Sequence, residues 1–552
     1  MTGSWSLADY LVALSGDDRV GMQFEDERWT WAEHVQTSVD RAAWLRSMRR
    51  DGPFHVGVLM DNVPEFSFLL GAAAFSGAVI VGLNTTRRGN ELARDITRTD
   101  CQLVITERKY AHALEGLTTG LESDRLLVND DPTYASAVAQ FTGNPIAAPK
   151  DIDEHSLFML IFTSGTSGDP KAVRMTHRKI TPWGPEPAMF LGRDDLAYLS
   201  MPMFHSACMI QGWGAVISSQ ARMVLKRKFS ASGFLPDIRR YGVTYFHYVG
   251  KPLAYILATP EQPDDADNPL QLAIGNEAAP LDIPRFAARF GCRVSDGFGS
   301  TETGISLSRT PDTPVGSIGK LPPGGAILDP GSGEPVAVAQ FDDQGRLVNF
   351  DEAVGELVNT AGPGLFSGYY NDEAATAERM KGGMYWSGDL AYQDAEGYVF
   401  FAGRSIEWMR VGGENLGTAP IERILARFPG VALVAVYAVP DVQVGDQIMA
   451  ALQFEEGATF DARAFADFLR AQPDLGTVWT PRFLRVSDAL PVTETNKVLK
   501  RIMAREGWEA SDAVWIRDGD GYRPISDDDR ANLRASLAEH GRAHLVPAIP
   551  AS

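Results

Sequence analysis

The chain has 552 residues, and 51 basic against 71 acidic side chains give a formal charge of −20. With 44% hydrophobic residues it carries enough apolar surface to fold, which excludes extensive disorder. Its length implies two to four domains, because single cores stop growing at about 250–300 residues. The acidic balance argues against nucleic acid or an anionic membrane as a non-specific partner, since both need basic surface. Cys101, Cys208 and Cys292 are scattered and form no CxxC pair, so neither a disulfide scaffold nor a cysteine-rich zinc site is expected, and a cytoplasmic location is. The opening MTGSWSLADYLV lacks the basic and apolar regions of a signal peptide.

Residues 1–250 alternate between helical and strand-like patterns. RAAWLRSMRR reads as helix, HVGVLM as strand, residues 66–77 as helix, then AVIVGLN and QLVIT as strands. Such alternation predicts βαβ units and a mostly parallel sheet with helices on its faces. Phe66–Leu83 is an uncharged stretch of 18 residues, at the lower edge of a membrane span. Gly77 divides it, so a buried helix followed by a core strand is the expectation. From Leu307 to Gly368 Gly and Pro multiply around short strands such as GELVN, which reads as a β-rich subdomain. Beyond Arg404, the strands VALVAVYAVP and IMAALQF and the amphipathic IERILARF and ARAFADFLRAQ describe an α+β module. The acidic run Ser526–Arg530 marks a surface helix and tail. The predicted fold is α/β: residues 1–404 form a large N-terminal domain, its β-rich part at about 307–400, and residues 405–552 a small mobile α+β domain.

The most informative segment is LIFTSGTSGDPKAV, residues 160–173. A hydrophobic strand runs into Thr163, Ser164, Gly165, Thr166, Ser167 and Gly168, with Lys171 close behind. Small residues let backbone N–H groups wrap an anion, hydroxyls add donors and the lysine adds charge. A polyphosphate cradle is the chemistry suggested; a flexible surface loop is the plain alternative. It is not a Walker A loop, because Asp169 and Pro170 separate Gly168 from Lys171. Nor is it a hydrolase elbow, because position 169 would have to be glycine.

TSGTSGDPK resembles the phosphate loop of the adenylate-forming superfamily, which comprises acyl-CoA synthetases, luciferases and peptide-synthetase adenylation domains. Further matches follow in the family's order. MPMFHSACM (201–209) is similar to the segment bordering the acyl site, which implies that His205 stands beside the carboxylate. AIGNEAAPL (273–281) and DGFGSTETG (296–304) resemble the two adenine segments. The first implies that Gly275, Asn276 and Glu277 lie against the purine. In the second, Asp296 would accept from the adenine amino group, Phe298 would stack on the ring within Gly297, Gly299 and Ser300, and Thr301 would reach the phosphate. Glu302 would hold Mg²⁺. The family usually has tyrosine where Phe298 stands.

WSGDL and FFAGRS supply Asp389 and Arg404, which the resemblance assigns to the ribose and phosphate. On residue type alone they read equally as a surface ion pair. Gly403 replaces the family's usual Asp, and Ile406 stands at its hinge. VGGENLGTAPIE (411–422) resembles the loop lining the pantetheine tunnel, with Gly413 letting the thiol chain pass. LPVTETNKVLKR (490–501) resembles the C-terminal lysine motif, with Lys497 as its lysine and Asn496 in place of glycine.

The resemblance spans about Trp5 to Pro524. GNEAAP, LNTTRRGNELARD and the ending EGW…YRP look most like fatty-acid-transport-protein or very-long-chain acyl-CoA synthetases, whose actinobacterial members include fatty-acid and steroid side-chain CoA ligases. It implies an ATP-dependent acyl-CoA ligase that uses ATP, Mg²⁺ and CoA on a carboxylic acid. Met209, Trp213, Tyr248 and Val249 are the candidate acyl wall, with plain core as the other reading of each. Lys226, Arg227 and Lys228 could meet the CoA 3′-phosphate or be a solvated strand end. The rivals are an acyl-AMP ligase loading a separate carrier protein and a non-catalytic lipid-binding protein on this fold. No integral membrane span is expected; homodimerisation and peripheral membrane contact stay open.

Overall fold

The computed structural model describes all residues except 1–4, 164–169, 183–189, 251, 279–281, 311, 343–346, 405–407, 412–413, 443–445, 473–474, 476–478, 493–497, 541 and 548–552. The chain divides into two compact units. The first comprises Met1–Ser306 with Pro363–Met380, the second Leu307–Gly362 with Lys381–Ser552.

Two sheets organise the first unit. In one, the strands run in the order Leu126–Val128, Cys101–Thr106, His55–Leu59, Val79–Gly82, Leu157–Thr163 and Lys171–Thr176. All pairs are parallel except the last. Strands His55–Leu59 and Val79–Gly82 are buried at every residue, as parallel strands covered on both faces must be. The second sheet places Val20–Phe24, Arg222–Leu225, Leu196–Leu199, Tyr245–Val249, Leu272–Asn276 and Arg293–Gly299 side by side, all parallel. Local sequence chemistry sets the helices. Trp31–Met48 starts from Thr30, whose hydroxyl and the Glu33 carboxylate cap each other's backbone. Pro64–Ser76 opens on proline and closes on Gly77 at φ 74°. The uncharged stretch therefore begins inside a helix of 13 residues, Pro64–Ser76, and ends in a core strand, as its glycine predicted. Among the described residues no helix is long and apolar enough to cross a membrane.

Pro363–Met380 belongs to the first unit although its neighbours in sequence do not. Arg174 donates its backbone N–H to Gly368 O at 3.1 Å, and Tyr370 donates to Ala172 O at 2.8 Å. The segment is thereby tied along strand Lys171–Thr176.

The second unit begins with an antiparallel sheet ordered Ser317–Lys320, Tyr398–Arg404, Met384–Gln393, Gly355–Asn359 and Gly325–Leu328. This is the β-rich region marked by its Gly and Pro content. A five-stranded sheet follows, Val431–Pro440, Asp446–Phe454, Phe483–Val486, Ala513–Asp518 and Gly521–Pro524, packed with helices Thr418–Leu425 and Ala462–Arg470 around a Phe-rich core. The acidic run caps helix Asp527–Glu539, with Ser526 at its N-cap and Asp529 returning the bond.

Candidate active site

Thr163 and Lys171 are direct partners across the antiparallel pair, so the Thr/Ser/Gly loop leaves and re-enters its sheet at one place. Ser164, Gly165, Thr166, Ser167 and Gly168 lie outside the described residues. Lys171 is buried, with Nζ 3.6 Å from Glu378 Oε2 and 5.3 Å from the centre of the Tyr369 ring. The Tyr369 hydroxyl donates to Glu302 Oε1 at 2.8 Å. Burial, reinforced by the Glu302 carboxylate, holds that phenol well above its ordinary pKa, so it stays a donor. Lys179 is fully buried on the short helix His177–Ile180. Burial pulls its amine down to about 7, against the opposing influence of Glu302. A cation, a phenol and a carboxylate thus converge at the base of the loop, with a second amine buried near the carboxylate.

The adenine-like segments lie on neighbouring strands. Tyr248, Gly275 and Asp296 stand in one rank across three parallel strands. The Tyr248 side chain lies over Gly275, and its hydroxyl donates to Asp296 Oδ2 at 3.0 Å. A Cβ on Gly275 would sit 2.5 Å from the Tyr248 ring, so only glycine permits this crossing. Ala278 N–H donates to the same carboxylate oxygen at 3.1 Å. Tyr248, read from sequence as acyl wall, is therefore bonded to the carboxylate of the nucleotide-like segment. Asn276, Gly297, Phe298, Gly299 and Ser300 are half-buried along these strand ends, and Glu277 is exposed. Glu277 and Thr303 adopt positive φ, 64° and 51°. Strain of this kind, about 1–3 kcal/mol per residue, concentrates at functional segments.

The His205 segment is drawn to the same place. Ser206 Oγ and Thr301 Oγ1 lie 2.8 Å apart, and the Asn62 carboxamide clamps the segment by donating to Met201 O at 2.7 Å and accepting from Met203 N at 2.8 Å. His205 is half-buried, with its Nδ1 accepting from Ala207 N at 3.3 Å. Beyond it the chain winds as a π-helix, Cys208–Gly214, a form frequent at functional sites. Met209 and Trp213 are buried on it. Trp213 Nε1 donates to Ser67 Oγ at 3.0 Å, which anchors it to helix Pro64–Ser76. Val249 is half-buried at the end of its strand.

In the second unit, Asp389 and Arg404 are direct partners across the hairpin Met384–Gln393/Tyr398–Arg404. Sequence spacing alone could not say this; antiparallel register does. Asp389 is buried, and the backbone beside it is fixed by Gly388 N–H donating to Glu356 Oε1 at 2.6 Å. Gly413, Lys497 and the hinge position Ile406 lie outside the described residues. Lys500 is an ordinary structural cation: Nζ donates to Thr418 Oγ1 at 2.8 Å and pairs with Glu422 at 2.8 Å. The basic run 226–228 is matched by acids. Lys226 pairs with Asp237, Arg227 with Glu107 and Asp61, and Lys228 lies 4.0 Å from Asp61.

Tyr369, Lys179, Asn62, Ser206 and Glu356 escaped the sequence reading. Tyr369 lies 67 residues from its partner Glu302, and no local pattern announces that its segment returns to the first unit. Lys179 sits between Arg178 and Ile180 with no local signal of its own, and its burial is a tertiary fact.

Parallel βα layers, a Thr/Ser/Gly loop between antiparallel strands and the carboxylates Asp296 and Glu302 define a class of protein. Residues 12–370 match the AMP-binding enzyme family and residues 420–497 match the AMP-binding enzyme C-terminal domain; the chain belongs to this family. It is 51% identical over 527 residues to the medium/long-chain-fatty-acid–CoA ligase FadD17 of Mycobacterium marinum, covering 94% of this chain and 100% of the relative. It is 46% identical over 547 residues to the steroid-22-oyl-CoA synthetase of Rhodococcus jostii, covering 98% and 99%. The human long-chain fatty acid transport protein 5 is a more distant relative, 29% identical over 84% of this chain and 71% of its own. The fold is shared with ATP-bound MatB from Rhodopseudomonas palustris, at TM-score 0.77 and 22% identity over 91% of this chain and 98% of that one.

Proposed function

We propose that this protein is an ATP-dependent acyl-CoA ligase whose acid is a fatty acid or a steroid side-chain acid. The reaction runs in two halves. A carboxylate oxygen attacks the α-phosphorus of ATP and pyrophosphate leaves, giving acyl-AMP; the CoA thiol then attacks the acyl carbonyl, and AMP leaves. The observation that carries the reading is the meeting of Lys171, Tyr369 and Glu302 at the base of the 163–171 loop. Near-full-length likeness to two CoA ligases supports the choice of thiol acceptor.

Carboxylate and triphosphate repel, so charge must be neutralised before they can align. Lys171 and the loop donors hold the phosphates, Asp296 takes the adenine amino group between Gly275 and Phe298, and Asp389 with Arg404 hold the ribose. His205 and Thr301 flank the reacting carboxylate and phosphate, and Lys497 orients them. Preorganised donors and cations of this kind are usually the largest catalytic contribution. Among the described residues no cluster of three metal-ligating side chains occurs. One buried carboxylate, Glu302, fits an ion that keeps its waters and is bound mostly by substrate phosphates, as Mg²⁺ is. Mg²⁺ bound there would supply neutralisation of phosphate charge. We place the domain division at 404/405, with the smaller domain turning to present Lys497 for the first half and the Gly413 loop for the second. Buried free thiols at Cys101, Cys208 and Cys292 support a cytoplasmic setting.

The test is mass spectrometry of products from MgATP and a panel of fatty and steroid side-chain acids, with and without CoA. The expected result is acyl-CoA only with CoA and acyl-AMP without it. Acyl-AMP in both tubes would point to a carrier protein as acceptor, and neither product with any acid would overturn the ligase reading.

A further inference from the structure

Strand Tyr245–Val249 carries a polar residue on each face. Tyr248 is satisfied by Asp296. His247, directed to the other side by the two-residue alternation of a strand, is fully buried, and among the described residues neither ring nitrogen has a hydrogen-bond partner. Its ring lies against the π-helix Cys208–Gly214, so close that a Cβ on Gly212 would sit 2.7 Å from Nε2. The preceding residue, Gln211, has a buried carboxamide oxygen that is also without a partner. Tyr245, whose ring stacks beside that of His247 at 6.5 Å, donates its hydroxyl to Gln211 O at 2.9 Å. Two of these unpartnered atoms belong to the His247 ring, and the third to the residue before Gly212 on the helix against which that ring packs.

Burial, with His205 adding to it, pulls the His247 imidazole down to about 3, so the ring is neutral at any working pH. A neutral imidazole offers one donor and one acceptor. Leaving such a group unsatisfied in a protein interior costs about 1–3 kcal/mol, while apolar side chains of similar shape would avoid that cost. A wall built only for a hydrocarbon chain has no use for these atoms. A hydroxyl fits them: its oxygen accepts from the imidazole N–H, and its proton goes to a second acceptor, for which the Gln211 oxygen is the candidate. A keto oxygen could satisfy only the donor.

We propose that His247 and Gln211 form a polar recognition point in the acyl-binding wall, which selects acids carrying a hydroxyl on the hydrocarbon body over the unsubstituted acid. The inference rests on the acyl-CoA ligase reading and names the substrate class within it. Because a site with buried hydrogen-bonding groups penalises the analogue that lacks the matching group, the preference order is hydroxy acid, keto acid, unsubstituted acid.

The experiment measures kcat/KM for acyl-CoA formation on two skeletons. One is a long saturated acid with a single hydroxyl or keto oxygen moved along the chain; the other is a steroid side-chain acid with and without ring hydroxyls. The expected result is at least one hydroxylated position favoured by about 10- to 100-fold over its unsubstituted parent. His247→Leu should abolish that ratio while leaving the parent acid within about twofold, and His247→Gln, which keeps a donor and an acceptor, should restore part of it. Thermal melting of His247→Leu should match or exceed the wild type, because an unsatisfied polar group has been removed. Should that variant fail to fold, Gln211→Met and the wild-type ratio still decide. Acyl-CoA formed with no preference at any position, or a preference that survives His247→Leu, would overturn the inference and leave the ligase reading intact. Absence of acyl-CoA from every acid would overturn both.

Discussion

The two faces of strand Tyr245–Val249 treat their polar groups in opposite ways. On one face Tyr248 reaches across Gly275 to a carboxylate that also receives the Ala278 N–H. On the other, His247 and Gln211 keep buried polar atoms with no partner among the described residues. Under the proposed function the first face meets a nucleotide, the same molecule in every turnover, so its partners can hold one another in advance. The second would meet an acid, whose matching substituent would satisfy these atoms.

The largest expected effect is at Lys497. Lys497→Ala should lower adenylation by about 10²–10³-fold and spare thioester formation from supplied acyl-AMP; single-turnover assays of each half check this, and equal losses would refute domain alternation. Next is the satisfied face itself. Tyr248→Phe removes a bond to a charged group, worth about 1.5–3 kcal/mol, so KM for ATP should rise about tenfold or more with acid selectivity unchanged. If acid selectivity moved instead, the two faces would not be separate.

Lys179 sharpens the comparison through pH. Its folded amine titrates near 7 against 10.5 for an ordinary lysine. Between those values the unfolded chain holds a proton that the folded chain has released, so folding stability rises with pH through the window and the gain is absent below it. The slope approaches about 1.4 kcal/mol per pH unit. Lys179→Met should remove it, as urea unfolding between neutral and mildly alkaline pH would record; parallel curves for the two proteins would place the amine at its ordinary value. The smallest effect is expected at Lys228, exposed and 4.0 Å from Asp61. Lys228→Ala should change KM for CoA by less than about fivefold, the scale of a surface ion pair, and a larger rise would give the basic run a role in holding CoA.

Much of this was legible in sequence because it is local. Gly77 ends a helix by its own backbone freedom, and the order of small residues in 163–171 suggests an anion loop without reference to the rest of the chain. The 307–368 region announced its β character through Gly and Pro around short strands such as GELVN. By contrast, Asp389 and Arg404 were merely two charges until antiparallel register set them opposite each other. Tyr248 was assigned to the acyl wall because strand alternation gives two faces but not what lies against either.

The sequence by itself determined the α/β class, the order of segments and the family, because these rest on short-range periodicity and on residue types at fixed spacing. Tertiary structure alone decided that Pro363–Met380 returns to bring Tyr369 onto Glu302, that Lys179 is buried while Lys228 is not, and that His247 faces the π-helix. Each depends on which surfaces pack together, and burial, desolvation and hydrogen-bond partners are properties of that packing.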